Sequence, residues 1–191
     1  MKMLAYLKKL STLVATLSLV LLPVFVSEAA AASIDLPMTT LAISKLGDLT
    51  LVVKDGVPQT IVVRGRDVSG SNIGFSVNGI PYMGDVSLSN NLTLQPGTMP
   101  LMFDHYGKLC FTVGDSVLVL EYQGTAKKTV DLMMLTKTLY SAGDFVVADG
   151  TGPFAALKGM KGTYKLNEVC HIVAGVHPKV GSPVEVTFSA M

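Results

Sequence analysis

A glycine-rich corner in residues 145–164 constrains this chain more than any other feature of its sequence. The apolar run Phe145–Ala148 favours a β-strand. Just after it, Gly150 and Gly152 permit positive φ without steric cost, and Pro153 disfavours helical backbone at the residue before it. We therefore predict a tight structural turn at these residues, between one strand and the next.

The residues that follow predict a core side chain and then a bent strand. Phe154 is a large apolar residue directly after the turn, as expected of a side chain that fills a core. Gly159 and Gly162 precede the next β-run, and glycine in a strand pattern marks a bulge or a sharp bend. The same segment contains a G-x-G-x-x-A spacing, which indicates a dinucleotide site only where a helix begins. The two later glycines oppose such a helix, so we expect no nucleotide cofactor.

Short apolar runs separated by turn residues continue through most of the chain. The segment Asp55–Pro58 and the dipeptide Asn78-Gly79 both predict hairpins. Residues 86–94 alternate between apolar and polar side chains, which is typical of a half-buried strand. A helix is plausible only at Thr129–Tyr140, where the Thr content and the flanking strands favour β. About a dozen short strands at this spacing predict an all-β fold, either an antiparallel β-barrel or a β-sandwich.

The first 32 residues have the pattern of a signal peptide. Three lysines precede the apolar run Leu10–Val26, and small residues suited to a signal peptidase follow it. The alternative is an uncleaved membrane anchor, which the break at Pro23 and the Ala-rich exit disfavour. We therefore predict a leader at 1–32, a single β-barrel domain at 33–191 without a membrane span, and a secreted or periplasmic location.

The charge of the remaining domain argues against a nucleic-acid partner. The leader holds three of the 15 basic residues and one of the 14 acidic residues, which leaves 12 against 13. A nucleic-acid-binding surface needs a basic surplus to replace the counterions of the phosphates. Metal-ligand spacings of the CxxC or HExxH kind are also missing from the sequence, so we expect no metal site.

Few polar side chains are placed for chemistry. Glu121 shares a strand face with Val117, where desolvation would raise its pKa and suit it to acid or base catalysis. His171 shares a face with Val169 and would then point inward. The alternatives are an exposed carboxylate at a strand end and a core histidine with a backbone partner. We expect His105 to lie in a solvated loop, since Asp, Tyr and Gly surround it.

Cys110 and Cys170 are the only two cysteines, and both lie in predicted strands. Export to an oxidising compartment favours a disulfide between them, with two buried free thiols as the alternative.

The corner resembles a motif of the allene oxide cyclase and dirigent β-barrel superfamily and its secreted bacterial relatives. The resemblance rests on Gly-Thr-Gly-Pro-Phe-Ala-Ala-Leu-Lys-Gly (150–159) and the Gly-Thr-Tyr that ends at Tyr164. It implies an eight-stranded antiparallel barrel in which this turn joins two late strands. Enzymes of that superfamily use an inward carboxylate and apolar walls to guide a cyclisation or a coupling, but none of their catalytic positions matches a residue here.

Three functions remain open. The first is an exported barrel that binds a small hydrophobic ligand or has a structural role. The second is an isomerase or cyclase acting on a hydrophobic substrate inside the barrel, and the third is an envelope or surface interaction protein. A purely aliphatic interior favours a structural role, whereas a buried carboxylate or a histidine beside a tyrosine favours an enzyme. A homo-oligomer is compatible with each.

Overall fold

The computed structural model describes residues 32–171 and 178–190, apart from the side chains of residues 57, 58 and 171. The predicted leader and its cleavage region up to residue 31 lie outside the described residues. The described part consists of nine β-strands and one 3₁₀ helix: β1 (Ile34–Lys45), β2 (Asp48–Lys54), β3 (Val57–Val77), β4 (Ile80–Leu94), β5 (Leu101–Val113), β6 (Ser116–Asp131), β7 (Thr136–Gly150), the 3₁₀ helix (Gly152–Leu157), β8 (Lys161–His171) and β9 (Pro183–Ala190).

Eight of the strands close into an antiparallel barrel. Their order is β1-β9-β8-β7-β6-β5-β4-β3, and pairing between β1 and β3 closes the ring. The remaining strand, β2, lies beside β3 past the end of β1, and it pairs only with the first part of β3. Closure removes most of the strand edges on which a Val-rich sheet would aggregate. The prediction of an antiparallel barrel is therefore confirmed, and the sandwich alternative is wrong.

The strands are fewer and longer than the sequence predicted. Gly84 in β4 and Gly107 in β5 interrupt the apolar pattern of the sequence, but both pair within the ladder and neither strand is broken there. Residues 103–107, expected to be a loop, form the middle of β5. By contrast, Thr129–Tyr140 is a β-hairpin with its turn at residues 132–135, so the choice of β over helix is confirmed. Both central residues of the Asn78-Gly79 turn have positive φ, as a tight hairpin requires.

The predicted corner joins β7 to β8 through the 3₁₀ helix. Gly152 has φ of +56° and Gly159 has φ of +87°, both left-handed, and Pro153 lies in the first turn of the helix. Phe154 is fully buried and packs against Phe75 and Tyr82, so it fills the core as predicted. Gly162, however, lies in an uninterrupted ladder, and its small size is needed for the close approach of neighbouring strands, not for a bend.

The two ends of the barrel differ. The end with the 3₁₀ helix and the Asn78-Gly79 turn is filled by the main apolar core, and we call it the closed end. The other end carries the β2–β3 hairpin, the β4–β5 loop (residues 95–100) and the β6–β7 turn (residues 132–135). A cavity opens there, so we call it the open end.

Candidate ligand-binding cavity

A β-bulge in β3 directs Arg66 into the barrel. Val63 pairs with Leu92 and Arg66 pairs with Asn90, so two residues of β3 lie opposite one residue of β4. Gly65 adopts the left-handed conformation that such a bulge needs, with φ of +64°. The extra residue shifts the alternation of the strand, and Arg66 is consequently buried, with 6% of its surface exposed.

Arg66 belongs to a layer of buried polar side chains that crosses the barrel interior. The layer contains all the buried polar or charged residues of the described chain: Arg66, Asn90, His105, Ser141 and Glu168. They come from five different strands and lie between two apolar regions. The main core fills the closed end, and a smaller apolar cluster lines the open end with Leu92, Phe103, Ala126 and Leu139. We call the five residues Arg66, Asn90, His105, Ser141 and Glu168 the polar layer.

An ion pair between Arg66 and Glu168 is the charged part of this layer. Arg66 Nη2 lies 2.6 Å from Glu168 Oε2, and both side chains are more than nine-tenths buried. Glu168 Oε1 accepts a hydrogen bond of 3.2 Å from the Cys170 thiol. Arg66 Nη2 and Glu168 Oε2 are close, but they do not form a well-directed hydrogen bond. Within the described chain, Arg66 Nε and Asn90 Oδ1 also have no hydrogen-bond partner. Such buried groups retain donor and acceptor capacity for a bound molecule.

Two uncharged members of the layer, His105 and Ser141, form a hydrogen-bonded group with the hydroxyl of Tyr164. His105 Nδ1 lies 2.5 Å from Ser141 Oγ and 3.1 Å from the Tyr164 hydroxyl, and the two hydroxyls are 3.0 Å apart. Burial, and secondarily the charge of Arg66, lowers the pKa of His105 to about 3. Burial also raises the pKa of Tyr164. At neutral pH all three groups are therefore uncharged and act as hydrogen-bond donors and acceptors, and His105 is too weak a base to take a proton.

The cavity leads from the open end to the polar layer. It has a volume of about 370 Å³, which falls at the lower end of the range for small-molecule sites. Arg66 and Glu168 contribute charged groups to its lining, whereas Leu92, Phe103 and Leu139 form apolar walls. We call it the mouth cavity. A larger groove of about 1030 Å³ lies on the outer wall, but exposed charged residues such as Lys108 and Glu121 line it.

The sequence candidates lie elsewhere. Glu121 is on the outer wall, where it forms an ion pair of 2.8 Å with Lys108 and its side chain is 48% exposed. The side chain of His171 lies outside the described residues. Val169, expected on an inward face, is exposed, and its neighbours Glu168 and Cys170 are buried. The inward face of β8 is therefore the opposite of the one predicted.

The predicted disulfide is absent from the structure, and both cysteines are free. Cys110 is on β5 and Cys170 is on β8, with two strands between them, which corresponds to about 14 Å along the barrel wall. A bridge requires Cα atoms within about 7 Å. Cys110 also lies between the inward residues Leu109 and Phe111 and so faces outward, whereas Cys170 faces inward beside Glu168.

Sequence reasoning missed the residues of the polar layer. The local pattern predicts a loop at His105 and indicates no role for Arg66, Ser141 or Glu168. The signal for Glu168 was its alternation with the apolar residues of β8, and the signal for Arg66 was the glycine before it in a Val-rich run, which marks a bulge. Ser141 gave no such signal, because serine is common in strands with one solvent face.

The fold and the cavity together define a small antiparallel β-barrel with a cavity open at one end. Comparison of the chain with protein-family models, curated proteins and solved structures found no match. Within residues 32–171 and 178–190, no three His, Cys, Asp or Glu side chains are grouped so that they could hold a metal ion. The same residues contain no helix long and apolar enough to cross a bilayer.

Proposed function

We propose that this protein is exported and binds a small, mainly hydrophobic molecule with a polar group in the mouth cavity. The observation that carries the proposal is a buried ion pair at the inner part of a cavity whose walls are mainly apolar. The apolar walls would hold the hydrophobic part of the ligand, and the unpartnered Nε of Arg66 would bind its polar group. The leader pattern supports export, and the corner motif supports a barrel of the allene oxide cyclase and dirigent type.

The cost of the polar layer argues against a purely structural barrel. Desolvation of two charges is expensive, and a buried ion pair is often no more stabilising than apolar residues of the same volume. A barrel with only a structural role would be more stable with aliphatic side chains throughout its interior. Natural proteins retain such costly groups mainly where they bind or react with something.

The test is binding of a matched set of twelve-carbon probes: a carboxylate, an alcohol and a hydrocarbon. Native mass spectrometry and calorimetry should show binding of the carboxylate or the alcohol and weaker binding of the hydrocarbon. Leu139→Trp, which fills the mouth cavity, should abolish binding. Val146→Trp places the same side chain in the outer groove and should leave binding unchanged. Equal loss in both variants, or no binding of any probe, would refute the assignment to the mouth cavity.

Export has a separate test. A fusion of residues 1–40 to a periplasmic reporter should be secreted and shortened between Ala29 and Ser33. A full-length product that stays in the membrane would contradict leader cleavage while leaving the binding proposal intact.

The second candidate function is an isomerase or cyclase, and the hydrogen-bonded group of His105, Ser141 and Tyr164 favours it. Neutral hydrogen-bond donors in a buried site are suited to polarising a substrate oxygen. A ligand that is recovered with altered connectivity after incubation would support catalysis. Tyr164→Phe should then lose turnover more than binding, whereas a ligand recovered unchanged would favour a carrier.

A further inference from the structure

We infer that the open end of the barrel docks on the surface of an anionic lipid bilayer. This inference goes beyond ligand binding and does not depend on it. It rests on exposed apolar side chains and unpaired basic side chains that occur together at one end of the molecule.

Most of the exposed large apolar residues lie at the open end. Those of the β2–β3 hairpin, the β4–β5 loop and the β6–β7 turn are the most prominent, and we call the following six the apolar rim: Leu49, Leu51, Met99, Leu132, Met133 and Met134. Met133 is 95% exposed and Met99 is 91% exposed. Turn tips are normally polar, and clustered apolar residues on a surface mark an interaction site.

The β6–β7 turn is built to present its apolar residues to the outside. Asp131 Oδ1 accepts hydrogen bonds of 2.9 Å from the backbone N–H groups of both Met133 and Met134. Leu135 has φ of +49°, which closes the turn back into β7. The Asp131 side chain and the left-handed backbone at Leu135 therefore hold the turn in a defined conformation, while its apolar side chains remain exposed.

The β2–β3 hairpin adds a second projection. Every residue of β2 is exposed, and the hairpin continues past the end of β4, where Thr60 on β3 still bonds to the carbonyl of Leu94. Leu49 and Leu51 lie on the same face of β2, and Leu49 also lines the mouth cavity. The rim therefore extends the apolar lining of the cavity outward.

The charges at the two ends are opposite. Seven basic residues lie at the open end against six acidic ones: Lys45, Lys54, Arg64, Lys127, Lys128, Lys137 and Lys179 against Asp48, Asp55, Asp67, Asp104, Asp131 and Glu185. At the closed end, four acidic residues (Asp35, Asp85, Asp115 and Asp149) lie with Lys158 and Lys161. Basic residues near an apolar surface attract it to anionic lipids, and the acidic closed end would orient the molecule with its open end toward the bilayer.

The basic residues of the open end are not neutralised by the protein itself. None of them forms an ion pair within the part of the chain that the structure describes. Lys128 and Lys137 lie next to each other at the mouth cavity, and burial together with the charge of Lys137 lowers the pKa of Lys128. Two adjacent lysines beside an apolar rim match a lipid phosphate beside acyl chains. Docking would bring the mouth cavity against the bilayer, where a hydrophobic ligand enters without crossing water.

The test uses the fact that the chain contains no tryptophan. Met133→Trp places a single tryptophan on the apolar rim, and Ile80→Trp places one on the exposed first residue of β4 at the closed end. With vesicles of phosphatidylglycerol and phosphatidylcholine, the emission of the Met133→Trp protein should shift to the blue and be quenched by brominated acyl chains. The Ile80→Trp protein should show neither change. Since both carry the same N-terminus, a retained leader would affect them equally.

Measurements of affinity for vesicles separate the apolar and the electrostatic contributions to docking. Replacing Leu132 and Met133 with Ser should weaken vesicle binding by about tenfold or more, since two apolar side chains lose their burial. Binding should also weaken as salt rises and on vesicles of phosphatidylcholine alone. The cavity-filling Leu139→Trp should dock normally, so loss of ligand binding and loss of docking are distinguishable.

Two outcomes would overturn the inference. Equal responses of the Met133→Trp and Ile80→Trp proteins to vesicles would show that the rim does not insert. A blue shift of the Met133→Trp protein without vesicles that grows with protein concentration would assign the rim to contacts between copies of the chain instead.

Discussion

Arg66 Nη2 and Glu168 Oε2 lie 2.6 Å apart, although β3 and β8 are not neighbours in the sheet. Strands β1 and β9 separate them along the shorter path around the barrel wall, so the ion pair connects the two strands through the interior. The pair therefore contributes both a cross-barrel contact and the charge of the candidate site.

Removal of one partner should destabilise the protein strongly. Glu168→Gln leaves the Arg66 cation buried without a counter-charge, and this should cost about 3–5 kcal/mol of the free energy of unfolding. Denaturant unfolding with a fixed slope measures the loss. Glu121→Gln on the outer wall removes an exposed pair with Lys108, which solvent screens, and should cost far less. Similar losses in the two variants would show that the interior pair is effectively hydrated.

The bulge at Gly65 should be sensitive to backbone conformation and insensitive to side-chain size. A Cβ atom at this position would have only Lys45 Nζ nearby, at 3.7 Å, so space is not limiting. Because φ is +64°, Gly65→Val should lose about 1–3 kcal/mol of stability. Gly65→Asn should lose less, since asparagine tolerates left-handed backbone.

The bulge also has a functional readout. If it directs Arg66 into the cavity, Gly65→Val should weaken binding of the twelve-carbon carboxylate even at temperatures where the variant is folded. A variant that is less stable but binds normally would mean that Arg66 reaches the cavity without help from the bulge.

The two cysteines should titrate as free thiols with different reactivities. Burial, and secondarily the neighbouring Glu168, raises the pKa of the Cys170 thiol to about 11, so little reactive thiolate exists there at pH 8. In the folded protein Cys110, which is half-buried on the outer face, should react first with a disulfide reagent. The denatured, unreduced protein should show two thiols per chain. No free thiol after denaturation would contradict the structure and restore the disulfide prediction.

The sequence was sufficient to predict the fold because local patterns decide it. The corner at Gly152 and Pro153, the core role of Phe154 and the Asn78-Gly79 turn each follow from the backbone preferences of one or two residues. Strand continuity was harder to predict, because polar and glycine residues that resemble a loop pair within a ladder once neighbouring strands are present. Residues 103–107 are the clearest case.

The candidate site was not predictable for a different reason. The polar layer combines five strands, and its members are brought together only by the closure of the barrel. Arg66 reaches the interior through a bulge that shifts the alternation of β3, so a strict period of two would assign it to the wrong face. Glu121 was chosen from local alternation on β6, and its outward position follows from which face of that strand the closed barrel buries.

The last prediction concerns His105 and the dependence of the free energy of unfolding on pH. Its pKa is about 3 in the folded protein and about 6.5 in an unfolded chain. Above pH 6.5 the imidazole is neutral in both states and contributes no pH dependence. As pH falls below 6.5 the unfolded chain binds a proton that the folded protein does not, so stability should decrease by up to about 1.4 kcal/mol per pH unit. The loss should continue until pH approaches 3, where the folded protein also takes up the proton.

Comparison with His105→Gln isolates this contribution, because all other titrating groups are common to both proteins. Between pH 6.5 and pH 5 the wild-type protein should lose stability more steeply than the variant, as measured by urea unfolding at each pH. Loss of the hydrogen bonds to Ser141 and Tyr164 also changes the stability of the variant, but by the same amount at every pH in this range. Parallel curves for the two proteins would mean that His105 is protonated in the folded state near its ordinary pKa, and the polar layer would then carry a second cation beside Arg66.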